Sequence, residues 1–138
     1  GCVVAAIADL PNISKTIFIA PPTKNDINRS VDRFKVRPGT IIDINSYSYV
    51  TRSGGSTTII PKEYWEDRKD MDYMETYRNF AEKNNLEIIF GMQDEIVLME
   101  NAREMGNFGK IHQIPGDHNF NGGSRAGLLS KVREIIIN

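Results

Sequence analysis

The sequence contains one cysteine, two histidines and one tryptophan among its 138 residues. The single Cys2 excludes an intrachain disulfide framework and a cysteine-based zinc site, because each of these needs several thiols. A sequence with one cysteine is also typical of a reducing compartment. We therefore expect a cytoplasmic protein that needs neither disulfides nor a thiolate-bound metal.

The sequence also lacks an excess of charge and a long apolar run. Lys and Arg number 17 and Asp and Glu number 18, a net charge of −1, whereas nucleic-acid binding proteins usually show a basic excess. The longest apolar stretch, residues 2–8, is much shorter than the roughly 20 residues that span a bilayer, and no basic residue precedes it as in a signal peptide. We expect no nucleic-acid partner and no membrane partner.

The chain opens on this apolar run, which is rich in small residues and has no polar lead-in. A complete domain rarely begins inside an apolar helix. The opening therefore favours a chain taken from a longer protein over a buried first helix behind a cloning glycine.

Beyond these absences, short apolar runs alternate with amphipathic segments. Continuous apolar runs predict buried parallel strands, and apolar residues spaced by three or four positions predict helices. The predicted strands are residues 16–20, 86–90 and 110–114. The predicted helices are residues 1–8, residues 61–85, residues from about 98 to 105, and a last helix that Ser124 caps. In this last helix the residues expected to face inward are Leu128, Leu129, Val132, Ile135 and Ile136. This order predicts an α/β fold with three mostly parallel core strands flanked by helices.

A small insertion interrupts this alternation. The turn residues RSGGS at 52–56 predict a hairpin whose antiparallel strands are residues 42–50 and 57–60. Residues 23–40 are polar and rich in turn residues, and we predict no helix there.

Two loops follow predicted strands and hold the candidate chemical groups. Residues 91–97 (GMQDEIV) present Asp94, and residues 114–123 (IPGDHNFNGG) present His118. Each residue also has a structural interpretation, Asp94 as the cap of the next helix and His118 as a solvated loop residue. For His112, in the middle of a strand, we favour the structural interpretation. In parallel sheets the strand ends meet at one edge, so Asp94 can lie beside His118, accept its Nδ1–H and fix the imidazole tautomer.

With these two loops the sequence resembles the α/β-hydrolase superfamily. Residues 91–97 match its acid loop and residues 114–120 match its histidine loop, in the family's chain order of nucleophile, acid and histidine. Residues 1–8 are similar to the helix that follows the family's nucleophile elbow, with Gly1 as the glycine after the elbow. The resemblance covers residues 1–20 and 86–138 and implies the C-terminal half of the fold, with residues 23–85 as a cap-like insertion.

One part of the family pattern is missing. The sequence contains no Gly-x-Ser-x-Gly motif. Ser53 lies in the predicted hairpin turn, and Cys2 lacks the glycine two residues later that a cysteine elbow needs, so we interpret Cys2 as a core residue. The resemblance therefore places the nucleophile upstream of residue 1 and implies that this fragment alone is inactive.

The resemblance implies a serine hydrolase that cleaves small carboxylic esters, with Asp94 and His118 as catalytic residues and no metal or organic cofactor. It also implies a homo-oligomer through an exposed strand edge, because residues 16–20 pair in the family with the nucleophile strand. The insertion contains the aromatic residues Tyr47, Tyr49, Tyr64 and Trp65. These side chains would either shape an acyl or aromatic pocket or, as is more usual, pack within the insertion itself. The alternative is a small non-catalytic α/β binding or interaction domain, in which Asp94 and His118 are ordinary loop residues.

Overall fold

The fold is described from a computed structural model, which covers residues 2–8, 13–52 and 54–138, with the backbone alone at Asn101. Two expectations lie outside these residues: Gly1 as the residue after an elbow, and the place of Ser53 in the hairpin turn.

The described residues form six α-helices, one 3₁₀ helix and five strands. In chain order they are α1 (Cys2–Ala8), β1 (Thr16–Ile19), α2 (Ile27–Lys35), β2 (Ser48–Thr51), β3 (Thr57–Ile60), α3 (Lys62–Lys69), α4 (Tyr73–Ala81), β4 (Leu86–Gly91), α5 (Met99–Ala102), the 3₁₀ helix Arg103–Asn107, β5 (Lys110–Ile114) and α6 (Ser124–Ile137). The described chain divides into two compact units, one formed by Gly1–Thr23 with Tyr73–Asn138 and the other by Lys24–Asp72.

The first unit is built on a parallel sheet with the strand order β1-β4-β5. All six residues of β4 are buried, as expected for a central strand covered on both faces. Phe18 pairs with Ile88, and Ile88 pairs with Ile111. A parallel three-stranded sheet with flanking helices and a separate antiparallel hairpin confirms the predicted α/β architecture.

Helices cover both faces of this sheet. On one face Ile89 and Ile114 pack with Phe120 and with Leu128 and Ile135 of α6. Burial of side chains of this kind stabilises a fold by about 1.5–3 kcal/mol each.

The aromatic side chain of Phe18 packs against helix α4. Its ring centroid lies 5.5 Å from that of Tyr77 and 5.4 Å from that of Phe80. This packing assigns α4 to the sheet unit. The second unit, Lys24–Asp72, is therefore shorter than the cap-like region predicted at residues 23–85.

Two expectations for α6 were wrong. Leu129 and Ile136 are 60% and 66% exposed, because each lies one position, or about 100° of helix rotation, beyond the buried Leu128 and Ile135. Ser124 does not cap the helix. The N-cap is Gly123 without a side-chain hydrogen bond, and the Ser124 hydroxyl instead donates to the carbonyl of Asn121.

The second unit contains the hairpin of β2 and β3, in which Tyr49 pairs with Ile59. The predicted first strand, residues 42–50, was too long. The hydroxyl of Ser48 accepts from the amide of Asp43 at 3.0 Å and donates to its carbonyl at 2.9 Å, which closes a turn where the strand was expected. The hairpin strand therefore begins at Ser48.

The sequence interpretation missed helix α2. Asp26 caps this helix by accepting from the amide of Arg29 at 2.8 Å. The apolar side chains Ile27, Val31 and Phe34 pack against a core of Val50, Ile60 and Trp65. A single helical segment at residues 61–85 was also wrong, because the chain leaves helical geometry between α3 and α4.

Candidate functional site

The candidate site lies where β4 and β5 end. Gly91 and Ile114 pair in parallel register at the last position of the two strands, so the loops that follow leave the same edge of the sheet. The amide of Met92 donates to the carbonyl of Ile114 at 2.9 Å, and the amide of Gln93 donates to the carbonyl of Gly116 at 3.0 Å. The two loops therefore run side by side as a continuation of the sheet.

This close approach depends on glycine at position 91. A β-carbon there would lie 2.4 Å from the carbonyl oxygen of Gly116 and 2.8 Å from that of Asp117. Real β-carbons do not approach backbone oxygens so closely, so any other residue would push the loops apart. The absence of a side chain at Gly91 thus sets the spacing of the Asp94 and His118 loops.

Asp94 is buried and fully engaged. Its side chain is 1% exposed, and Oδ1 accepts from the amides of Ile96 at 2.8 Å and Val97 at 2.7 Å. A buried carboxylate needs such donors, because an unpaired one loses its hydration without compensation. These bonds fix the carboxylate within its loop. Asp94 does not cap the next helix, because the N-cap of α5 is Leu98 and it has no side-chain hydrogen bond.

His118 lies directly against this carboxylate. Its Nδ1 is 3.0 Å from Oδ2 and 3.2 Å from Oδ1 of Asp94, and 24% of its side chain stays exposed. A ring that donates Nδ1–H to a carboxylate presents an unprotonated Nε2, the atom that acts as a general base. The structure thus brings together the two site residues that the sequence singled out.

The residues around His118 hold its loop in place. Phe120, 1% exposed, anchors the loop in the core under α6. Asp117 accepts from the backbone amide of Asn121 at 2.9 Å and from its side-chain amide at 3.0 Å. These hydrogen bonds lower the pKa of the Asp117 carboxyl below its usual value, and the bond from the Asn121 backbone amide has the larger effect.

Gln93 is a part of the site that the sequence interpretation missed. Its side-chain oxygen accepts from the amide of Gly116 at 2.7 Å, while its own amide donates back to the Gly116 carbonyl. This reciprocal pair joins the acid loop to the histidine loop. Nothing in the sequence distinguishes Gln93 from any polar loop residue, because its partner lies 23 positions away.

The other histidine has a separate partner. His112 Nε2 lies 2.5 Å from Oε2 of the buried Glu87, and Lys110 Nζ lies 3.8 Å from the other oxygen of the same carboxylate. Glu87 of β4 pairs with Lys110 of β5, and His112 lies two positions further along β5. This arrangement satisfies a buried carboxylate within the sheet and agrees with the structural interpretation of His112.

The remaining residues that the sequence drew attention to lie elsewhere. Cys2 is half-buried in α1, and burial raises the pKa of its thiol. In the insertion Trp65 is 3% exposed, with the ring of Phe34 packed edge-on at 6.4 Å, whereas Tyr47 is 57% exposed. The tryptophan side chain is therefore part of the core of the insertion.

Within the described part of the chain, no serine or cysteine side chain hydrogen-bonds to His118, and no group of three or more His, Cys, Asp or Glu side chains is placed to hold a metal ion. The site consists of the Asp94 carboxylate and the His118 imidazole in contact with each other.

Several solved structures are similar to this chain. No protein-family model and no curated protein sequence matches this chain. The esterase domain of a Rhodothermus marinus protein superposes on 94% of this chain, with a TM-score of 0.62 and 20% sequence identity. Est1E from Butyrivibrio proteoclasticus superposes on 99% of this chain, with a TM-score of 0.62 and 17% sequence identity. The chain has a partial α/β-hydrolase fold. Alpha/beta hydrolase domain-containing protein 10 from mouse is also similar, over 99% of this chain, with a TM-score of 0.53 and 16% identity.

The α/β-hydrolase fold is present here only in part. The chain spans about half the length of these solved structures, 53% of the Rhodothermus domain, 55% of Est1E and 56% of the mouse protein. That coverage is consistent with the C-terminal half that the resemblance implied. In the described ranges, every helix is too short or too polar to cross a membrane.

Proposed function

We propose that this chain is the C-terminal fragment of a serine hydrolase that cleaves small carboxylic esters. The observation that supports the proposal is the contact of 3.0 Å between His118 Nδ1 and Asp94 Oδ2, made at two neighbouring strand ends of a partial α/β-hydrolase fold. Ligands and reactive groups gather at this end of the strands in open α/β sheets.

In this proposal an upstream serine is the nucleophile and His118 is its base. The serine oxygen attacks the ester carbonyl while Nε2 of His118 takes the serine proton. The tetrahedral intermediate expels the alcohol, which receives that proton from the imidazolium. Water then gives a proton to Nε2 and attacks the acyl-enzyme, and collapse of the second intermediate releases the acid and returns the proton to the serine.

Asp94 supports both half-reactions by holding the ring. Its carboxylate accepts Nδ1–H, keeps Nε2 free for the serine proton and stabilises the imidazolium that forms. The bonds from Ile96 and Val97 keep the carboxylate fixed when the imidazole changes charge. Gln93 and Gly91 contribute as positioning residues, because they set the distance between the two loops.

The remaining residues of the chain also have a place in the proposed enzyme. The unit Lys24–Asp72 acts as a cap-like insertion, and no metal or organic cofactor takes part. The protein is cytoplasmic, in keeping with its single cysteine. The 138-residue chain alone is inactive, because it contributes a base and its orienting acid without the nucleophile.

The coding sequence upstream of residue 1 tests this proposal first. We expect a buried apolar strand followed by Gly-x-Ser-x-Gly. The full-length protein should then react with a fluorophosphonate probe at that serine, as located by peptide mass spectrometry, while the 138-residue chain stays unlabelled. A start codon directly before this chain, or an upstream sequence without a nucleophile motif, would instead favour the small binding domain.

A further inference from the structure

A groove in the second unit presents two arginine side chains. It has a volume of about 600 Å³ and is lined by Arg37, Pro38, Thr51, Arg52 and Gly55. Its size is within the range of about 300–1,000 Å³ that is typical of small-molecule sites. All five residues belong to the unit Lys24–Asp72, and none of them is acidic.

Arg37 is held with its guanidinium in place. The group lies over the ring of Phe34, with Cζ 5.3 Å from the centroid, and Nη1 donates to the carbonyl of Thr51 at 3.5 Å. The residue is half-buried. A guanidinium stacked on an aromatic ring loses little further freedom when it binds a ligand.

Arg52 approaches the groove from the hairpin. Its Nε donates to the hydroxyl of Thr58 at 2.8 Å, and its carbonyl accepts from the amide of Gly55 at 2.9 Å. Gly55 has a φ of +79°, and a β-carbon at this position would contact nothing within 4 Å. The turn thus keeps the groove open beside Arg52, whose Nη atoms make no hydrogen bond to the described residues.

The charges of these two arginines are not compensated within the described residues, where neither forms a salt bridge with a carboxylate. A guanidinium offers five N–H donors in a planar fork that matches the oxygens of a carboxylate or phosphate.

We propose that this groove binds the oxyanion of a small ligand, a carboxylate or phosphoryl group, between Arg37 and Arg52. The ring of Pro38 gives the groove an apolar wall for the organic part of that ligand. This site shares no residue with the Asp94–His118 pair and does not depend on the proposed hydrolase activity.

The test is a titration of the 138-residue chain followed by ¹H–¹⁵N NMR. Benzoate and phenyl phosphate are the two probes, and benzamide is the uncharged analogue of benzoate. We expect saturable shifts of the Thr51, Arg52 and Gly55 amide signals with at least one of the two anions, and the tighter anion identifies the oxyanion. Shifts that do not saturate, or that benzamide reproduces, would overturn the proposal.

Matched variants assign the effect to the two arginines. Arg52→Gln should weaken binding by about tenfold or more, since a charge-assisted bidentate bond is lost, and Arg52→Lys should recover part of it. Arg37→Gln should do the same if the hairpin signals remain native. Arg33→Gln, an exposed change of equal charge on α2, should leave binding unchanged. Equal binding by wild type and Arg52→Gln would overturn the proposal even if Arg37→Gln fails to fold.

Discussion

The side chain of Tyr77 is buried together with its hydroxyl group. The residue is 0% exposed, and its hydroxyl makes no hydrogen bond within the described residues. A buried hydroxyl in this state costs about 1–3 kcal/mol. The ring itself contributes to the core, because it packs edge-on against Phe18. The hydroxyl and the ring of this residue therefore have opposite effects on stability.

We predict that Tyr77→Phe raises the free energy of unfolding by about 1 kcal/mol, since it removes the unpaired hydroxyl and keeps the ring. Urea unfolding followed by circular dichroism measures the change. Tyr47→Phe, at a 57% exposed position, is the control and should change nothing. A Tyr77→Phe protein less stable than wild type would show that the hydroxyl has a partner in solution.

Burial also predicts how alkaline pH affects stability. Desolvation raises the pKa of Tyr77 above its ordinary 10.0 and the pKa of Cys2 above its ordinary 9.0. In the unfolded chain both groups ionise at their ordinary values, whereas the folded chain keeps them neutral. Their contribution is therefore complete below pH 9 and declines as the pH rises through 9 and then 10.

The check is urea unfolding between pH 8 and pH 11 for wild type and for the Cys2→Ala/Tyr77→Phe double variant. The wild type should lose stability more steeply above pH 9 than the variant does. Parallel curves for the two proteins would contradict the assignment of the loss to these buried groups.

At the scale of elements, the two loops after β4 and β5 are held together by backbone contacts. We predict that Gly91→Ala destabilises the chain by about 1–3 kcal/mol, because its β-carbon would meet the Gly116 carbonyl at 2.4 Å. The displaced loops should also break the contact between Asp94 and His118. Urea unfolding measures the first effect, and the Nδ1–H signal of His118 in proton NMR measures the second.

Gly127→Ala is the matched control for this change. Nothing lies within 4 Å of a β-carbon at position 127, and the residue is inside α6. The substitution should stabilise the helix by about 0.5–1 kcal/mol. A Gly91→Ala protein that behaves like Gly127→Ala, with the His118 signal retained, would contradict the role given to Gly91.

The sequence predicted β4 directly from its apolar pattern. β4 is apolar over most of its length and buried throughout, so its pattern has one interpretation. Helix α2 was missed because its apolar residues are few and lie among charged ones. They are only partly buried, where they pack against the core around Trp65. Leu129 and Ile136 were misplaced because α6 is apolar on more than one side, and sequence alone cannot say which side faces the sheet.

The sequence also predicted some residues of the candidate site and missed others. Asp94 and His118 could be singled out because each follows a strand whose end the sequence predicts. The contacts of Gln93 and Gly91 with Gly116 could not, because they depend on the path of two loops that are distant in sequence. Whether the pair is catalytic stays a prediction.

At the scale of the whole molecule, the described sheet leaves one edge of β1 unpaired, since β1 pairs with β4 alone. Ile19 at this strand is 39% exposed. An apolar edge strand is prone to pair with another chain. We therefore predict that the 138-residue chain self-associates at micromolar concentration through this edge.

Light scattering with two matched variants measures this. Ile19→Lys should yield monomers, because a charged residue disfavours pairing at an edge strand. Ile59→Lys, at a 58% exposed position of the hairpin, should associate like wild type. A wild-type chain that is entirely monomeric would contradict the prediction.

Our claim is that Asp94 and His118 serve a nucleophile supplied by the full-length protein. The most direct test is the kcat/KM of the full-length protein on short acyl esters of p-nitrophenol, for wild type, His118→Ala and His112→Gln. The claim predicts a loss of about 10⁴-fold or more for His118→Ala and a change of less than about threefold for His112→Gln, whose ring is engaged with Glu87. Equal losses for the two variants, or an active His118→Ala protein, would contradict it.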